Sequence, residues 1–316
     1  MLAYLIKRIL SLIPVLFVVT VAIFLIVHLT PGDPAAAMLG IEASQEEIQA
    51  LNEQLGFNRP IQEQYVHWLG NVVRGDLGNS LFMRQPVSQA IAEHVGPTLS
   101  LAILAQTIAL LLAIPFGIIA AYKRGSITDI TLRGISLIGM AVPSFLLGLF
   151  LMLLVGVRLQ WLPVAGYEPL KDGLWNHLQY LILPGISLGT IQAALITRMT
   201  RSSVLDVLNL NYIKTARAKG LREGKVLLKH AFRNAFLPIL TVIGQTFGTL
   251  VTGAVVVESI FTIPGLGQLI LNAIVRRDFA VIQGVVLIVT LIYVGLNLVI
   301  DLLYGAVDPR VRLARK

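Results

Sequence analysis

Six apolar runs alternate with polar stretches along the chain: Ile9–Leu29, Leu99–Ala121, Gly134–Val157, Leu178–Thr197, Ala235–Val257 and Val281–Tyr304. At 1.5 Å rise per residue, each is long enough to cross about 30 Å of hydrocarbon as a helix. The pattern predicts an all-α integral membrane protein with six transmembrane helices. Lys7 and Arg8 precede the first run, which ends in Thr30-Pro31-Gly32-Asp33-Pro34 rather than at a small-residue cleavage site. It is also longer than the roughly 7–15 apolar residues of a signal peptide, so it reads as a retained first helix.

Two polar stretches interrupt this pattern. Residues 30–97 read like soluble protein. Ser44 and Glu47 make a capping box, Gly56 supplies a helix stop, and a second helix starts near Pro60. That second helix carries Ile61, Tyr65, Trp68, Leu69, Val72 and Val73 on one face, which predicts packing against a neighbour. Gly75-Asp76-Leu77-Gly78-Asn79-Ser80 follows no strand and reads as a tight turn, not a phosphate cradle. The second stretch, Asn211–Thr241, holds Lys214, Arg217, Lys219, Arg222, Lys225, Lys229 and Arg233 against the single acid Glu223. Such a segment cannot sit in hydrocarbon. Gly220 divides it into two short helical pieces.

Composition and charge sharpen this picture. Of 316 residues, 56% are hydrophobic and 13% charged, with mean hydropathy +0.79, whereas charged residues make up about 25% of a soluble domain. The net charge of +8 would suit nucleic acid in a soluble protein. Here it follows from retention of Lys and Arg on the cytoplasmic side, and no nucleic-acid partner is expected. Outside segments hold Arg59, Arg74, Arg84, Arg158, Lys171, Arg276 and Arg277, and the rest of the 25 Lys and Arg residues lie inside. That asymmetry predicts cytoplasmic N- and C-termini and a cytoplasmic 198–238 loop. The chain has no cysteine, which excludes disulfides and thiol chemistry.

Ion-coupled carriers place acidic, histidine or basic groups near the bilayer midplane, but apart from His28, which reads as an interfacial residue at the outer end of the first run, only Asp301 falls inside a predicted span. Gly220-Leu221-Arg222-Glu223-Gly224-Lys225 resembles a phosphate loop. It is one residue short between its glycines and has no Ser or Thr after Lys225. HExxH does not occur and the residues offer no catalytic constellation, so no enzyme activity, metal or cofactor is expected, and energy, if used, comes from another subunit.

Ala216-Arg217-Ala218-Lys219-Gly220-Leu221, then His230-Ala231-Phe232-Arg233-Asn234-Ala235 and Leu237-Pro238, resembles the cytoplasmic "EAA" loop of binding-protein-dependent ABC importer permeases of the oligopeptide/dipeptide (peptide/nickel) group. The resemblance runs the whole length. It includes Thr30–Pro34, Gly75–Gly78, Glu258-Ser259-Ile260-Phe261 with Pro264-Gly265-Leu266-Gly267, Arg277-Asp278 and Asp308-Pro309-Arg310. The short N-terminus and large first outer loop resemble the B-type subunit. Lys214 and Thr215 depart from the usual Glu and Ala, and the spacing from Gly220 to Pro238 is longer.

The resemblance implies a type I importer permease in the bacterial cytoplasmic membrane, taking up peptides or, alternatively, nickel complexes or glutathione. Its partners would be a C-type permease, two cytoplasmic ATP-binding subunits, an extracytoplasmic binding protein and membrane lipid. Residues 1–29 would form the first helix, 30–97 the outer insert, 98–308 the five-helix core and 309–316 a cytoplasmic tail. Tyr212, Thr215, Ala216, Arg217, Ala218, Lys219 and Gly220 are the expected ATPase-coupling residues. Arg276, Arg277 and Asp278 are expected to dock the binding protein, and Gly244, Gly248, Thr252 and Glu258 to line the substrate pathway.

Overall fold

A computed structural model describes residues 2–29, 33–40, 43–80 and 82–307. The Thr30-Pro31-Gly32 part of the first motif and the final Asp308-Pro309-Arg310 lie outside the described residues. The described residues are helical throughout apart from loops and one isolated bridge, Asn79 to Pro86. They fall into two compact units, one made of 1–96 with 264–295, the other of 97–263 with 296–316.

The first unit opens with α1 (Leu2–His28), α2 (Pro34–Leu39), α3 (Gln45–Leu55) and α4 (Ile61–Val73). Helix α3 starts with the expected reciprocal capping box, Ser44 with Glu47, and stops at Gly56 in the left-handed region, φ 73°. The apolar face of α4 is only half used. Tyr65 and Trp68 pack on Phe24 of α1, and the Tyr65 hydroxyl lies 2.9 Å from that of Thr20, yet Ile61 and Val73 are exposed. His28, read as interfacial, stacks on Phe24 and meets Gln64 Oε1 at 3.0 Å, tying α1 to α4. The core of this unit joins Val27 to Val87, Ala90 and Ile91 at the start of α5 (Val87–Tyr122), and to Leu266, Leu269, Phe279, Val281 and Val285.

The second unit continues α5 and adds α6 (Ile127–Ala141), α7 (Ser144–Leu151) with a π-helical extension Met152–Arg158, and α8 (Leu174–Leu208). Beyond these come α9 (Asn211–Ala218), α10 (Glu223–Lys225), a π-helical Val226–Phe232, α11 (Arg233–Gly253) and α12 (Val255–Ile260). Helices α13 (Leu266–Val275) and most of α14 (Phe279–Val307) return the chain to the first unit. Five helical stretches are long and apolar enough to cross a membrane: Leu10–His28, Val87–Tyr122, Leu174–Leu208, Glu223–Gly253 and Phe279–Leu303.

The expected uninterrupted span Gly134–Val157 is instead two helices bent by 96°, so the count is six only if this broken pair is one crossing. Val142 takes extended angles (φ −83°, ψ 119°) and Pro143 follows it. Proline clashes with a helical residue before it and has no N–H to continue the ladder. Glycines set the helix spacing within this unit. A Cβ on Gly117 would overlap Thr200, one on Gly189 would overlap the carbonyl of Ala105, and one on Gly244 would overlap Ile300 of α14. Small residues thus bring helices together, as expected where lipid supplies no hydrophobic drive for association.

Candidate functional site

The basic stretch between α8 and α11 is seated on a hydrophobic core. Ile213 and Ala216 of α9, Val226, Leu227 and Ala231 of the π-helical turn, and Ala235 are buried against Ala109, Ala113 and Ala121 of α5 and Ala193, Ile196 and Val204 of α8. Polar contacts then lock the two halves of the loop. Arg217 Nε and a second guanidinium nitrogen donate to the Glu223 carboxylate at 2.8 and 3.3 Å. The Tyr212 hydroxyl donates to the His230 carbonyl at 3.2 Å and accepts from Asn234 Nδ2 at 2.8 Å. Between the halves Gly220 sits at φ 77°, its N–H donating to Arg217 O at 2.9 Å. A Cβ there would meet nothing within 4 Å. The bend is therefore open, and what it demands is the left-handed backbone, not small size.

Among the expected coupling residues, Tyr212, Thr215, Arg217, Ala218, Lys219 and Gly220 are exposed, and Ala216 is buried at 9%. Ala216 anchors the loop and does not face outward, and Arg217 is already paired with Glu223. Lys214, Lys219, Arg222, Lys225, Lys229 and Arg233 are exposed, giving the loop a basic outer face. The π-helical turn lies within the lengthened Gly220–Pro238 interval, as expected where a helix absorbs added residues.

Below the loop, Arg201 of α8 makes two bonds of 2.7 and 2.8 Å to the Asp129 carboxylate, which is 1% exposed. Asp129 also accepts from Gly125 N–H and lies 3.3 Å from Arg133. This ion pair joins α6 to the helix that carries the loop.

In the first unit, Arg276 and Arg277 are exposed, and Arg276 stacks over the Phe82 ring at 3.7 Å from its centroid. Asp278 is buried. It accepts from Ser80 Oγ at 2.5 Å and from Val281 N–H at 3.4 Å, so it caps α14 and fixes the 79–86 turn in place of facing outward.

The four residues expected to line a pathway differ in their surroundings, and only Thr252 is exposed. Gly244 is filled by Ile300, Gly248 is buried, the Thr252 hydroxyl donates to the Gly248 carbonyl, and Glu258, fully buried, accepts from Thr98 at 2.6 Å. The second unit does contain a cleft of about 570 Å³ between α8 and α11, lined by Gln192, Leu195, Arg198, Met199, Ser202, Val242, Gln245, Thr246 and Thr249. Helical spacing could have revealed it: positions 192, 195, 199 and 202 share one face of α8, and 242, 245, 246 and 249 one face of α11. Gln192 Nε2 donates to Thr249 Oγ1 at 3.2 Å, while its buried Oε1 has no partner. An unsatisfied buried acceptor costs about 1–3 kcal/mol, which marks a place where a donor is missing.

Residues 113–313 match the family described as binding-protein-dependent transport system inner membrane component, and residues 1–102 match the N-terminal region of the same kind of membrane component. A peptide transport system permease protein of Brucella abortus (strain 2308) is 44% identical over 312 residues, covering 99% of both chains. A peptide ABC transporter permease protein of Sinorhizobium fredii is 40% identical over 309 residues, covering 98% of this chain and 99% of that one. The glutathione transport system permease protein of Shigella flexneri serotype 5b is 43% identical over 312 residues, covering 99% of each. Among solved structures, a chain of the inward-facing MetNI methionine ABC transporter superposes with a TM-score of 0.59 at 18% identity, covering 70% of this chain and 97% of that one.

Proposed function

The chain belongs to the inner membrane components of binding-protein-dependent transport systems, and on that premise we propose that it is the B-type permease subunit of an ABC importer of short peptides. As a membrane component of such a system it is multi-pass, sits in the inner membrane, works with an ATPase and a binding protein, and is itself no enzyme. In the proposed assembly a C-type permease completes the pathway, two cytoplasmic ATP-binding subunits drive it, and both termini of this chain are cytoplasmic.

The observation that carries the reading is the bedded basic loop. A segment that must transmit force needs a stiff connection to the helices it moves. Here Ile213, Ala216 and Val226 are buried beneath it while its lysines and arginines face out. ATP-driven closure of the ATPase pair would move the loop, and α8 and α11 would carry the motion into alternating access. Small-molecule identity rests on the relatives. The peptide and glutathione permeases are almost equally similar to this chain, and glutathione is itself a short peptide, so the class is supported more strongly than any one member of it.

Two experiments test the proposal. Purified with its ATPases and reconstituted with its binding protein, the assembly should take up labelled di- and tripeptides only with ATP. Uptake without ATP, or purification without an ATPase, would rule it out. In this cysteine-free chain, Gln49→Cys on exposed α3 should react with an impermeant thiol reagent added outside intact cells, and Arg222→Cys should not. Reversed labelling would overturn the orientation. Docking of the binding protein at Arg276 and Arg277 is part of the same proposal. Neutralising both should slow association more at low salt than at high salt, because exposed charges are screened beyond about 10 Å at 0.1 M.

A further inference from the structure

A second cavity, of about 410 Å³, lies within the first unit, and its floor forms where two membrane-crossing helices end. Phe24, Val27 and His28 close the Leu10–His28 span, and Phe279, Ala280 and Gln283 open the Phe279–Leu303 span. The end of a span marks the boundary between hydrocarbon and lipid headgroups, and aromatic side chains such as Trp68, which lines one wall, gather at that depth. From this position and from the groups that line it, we infer that the cavity binds the headgroup of a phospholipid that carries a primary ammonium group. The inference holds whichever cargo the importer carries.

Gln283 selects the ligand. It is 8% exposed, and its Nε2 donates to two carbonyls of α1, Ile23 O at 3.2 Å and Phe24 O at 3.5 Å, which fixes which end of the amide is the oxygen. That Oε1 has no partner among the described residues, and unlike the Gln192 oxygen it is not sealed from solvent. It is a fixed acceptor at the cavity and calls for an N–H donor. On the rim, Asp76 gives one carboxylate oxygen to Gly78 N–H at 2.9 Å and keeps the other. Glu53 and Arg59 line the same cavity without pairing, so charges of both signs are held apart, as a zwitterion needs. His28 is already engaged with Gln64, and His67 stands on the exposed rim.

An ammonium group with three N–H donors can satisfy Gln283, Glu53 and Asp76, with the rings of Phe24, Phe57 and Trp68 adding cation–π attraction, while the phosphate meets Arg59. A quaternary ammonium has no N–H for Gln283. A headgroup without an amine sets its phosphate against two carboxylates and gains only one arginine. Leu29, next to His28, is 76% exposed and offers the acyl chain an apolar contact.

The test uses the assembled, delipidated importer with Asn71→Cys as the only thiol of this cysteine-free chain, and Gln54→Cys as a second reporter should the first not assemble. The rate at which maleimide labels this chain is followed with added phosphatidylethanolamine, phosphatidylcholine, phosphatidylglycerol or free phosphoethanolamine. Phosphatidylethanolamine should protect the thiol at about a tenth of the concentration the other two lipids require, the order expected for one hydrogen bond to a charged group. Gln283→Leu should erase its advantage over phosphatidylcholine. Glu53→Gln combined with Asp76→Asn, both exposed and safe for folding, should weaken protection by phosphatidylethanolamine about tenfold and keeps the test decisive if Gln283→Leu does not assemble. Equal protection by the three lipids, a preference unchanged by the variants, or a thiol unreactive in the delipidated assembly would each overturn the inference. Protection by free phosphoethanolamine at the same concentration would overturn it too, by assigning the cavity to a soluble ligand.

Discussion

The chain has two polar stretches, and they are held in opposite ways. In the 211–235 loop, six residues (Ile213, Ala216, Val226, Leu227, Ala231 and Ala235) are buried in the core of the second unit. In α4 of the first unit no residue is buried, and Val66 and Val73 are 68% and 80% exposed. The 34–74 region relies on local devices: the Ser44 cap, the Gly56 stop, and Asp33, which caps α2 and accepts from Asn52 at 2.8 Å. A segment seated through its side chains moves with the helices beneath it. One held by caps and a few aromatic contacts can shift without disturbing them. In the proposed assembly that difference would separate a lever from a surface.

The sharpest way to break this contrast is to remove the bed. Arg201→Ala leaves the Asp129 carboxylate buried without its main partner, a change that costs about 3–5 kcal/mol. It should lower the detergent-solution Tm and loosen the loop together with α6, and a normal Tm would show the pair to be dispensable. Next in size is Ile213→Ala, which opens a cavity under α9 and should cost about 2–5 kcal/mol. Trypsin should then cleave at Lys214, Arg217 and Lys219 many times faster, while Val73→Ala should leave cleavage at Arg59 and Arg74, which flank α4, unchanged. Equal responses at the two sites would erase the comparison.

Gly220 sharpens it. At φ 77° with open space around it, Gly220→Val should cost about 1–2 kcal/mol in backbone strain, and Gly220→Asn much less. Uptake should therefore fall with Val and survive with Asn. Loss with both would show that a partner approaches too closely for any side chain. Ser44→Ala should cost about 1 kcal/mol, confined to α3, and be visible as faster amide exchange over residues 45–55. Ser44's N–H and hydroxyl hold the Glu47 carboxyl below its ordinary 4.5. That contribution is complete above pH 4.5 and is lost as the pH falls through the lower folded value, so the protection of α3 amides, corrected for the intrinsic exchange rate at each pH, should fall on acidification. The smallest effect belongs to Arg217 and Glu223, both about 41% exposed. A double-mutant cycle should give no more than about 1 kcal/mol.

Much of the fold was legible because it depends on short-range regularities. Apolar runs longer than about 18 residues, the Ser44–Glu47 spacing and the glycine stops act within a turn or two of helix, and the structure follows them. The break at Pro143 was equally local and was missed, because the run Gly134–Val157 remains apolar through it. Hydropathy averages over a proline that geometry does not ignore.

The site was legible in outline only. The basic, glycine-divided loop stands where its composition placed it. Which of its residues face outward depended on α5 and α8 arriving beneath it from about a hundred and about twenty positions away along the chain, and so Ala216 turned inward and Arg217 found Glu223. The small residues of α11 were read as space for a pathway. At Gly244 there is a contact, since the missing side chain is filled by Ile300 of α14, while Thr252 is exposed.

By itself, then, the sequence determined that this is a helical membrane protein, where its apolar runs and the Ser44 cap lie and which stretch is too charged for lipid, because solvent preference and backbone geometry are properties of a residue and its near neighbours. Only the tertiary structure decided that Asp129 would meet Arg201, that Asp278 would be a cap, and that Gln192, Arg198 and Thr249 would share a cleft. Those outcomes depend on which helices meet and in what rotation, and long-range packing alone sets that.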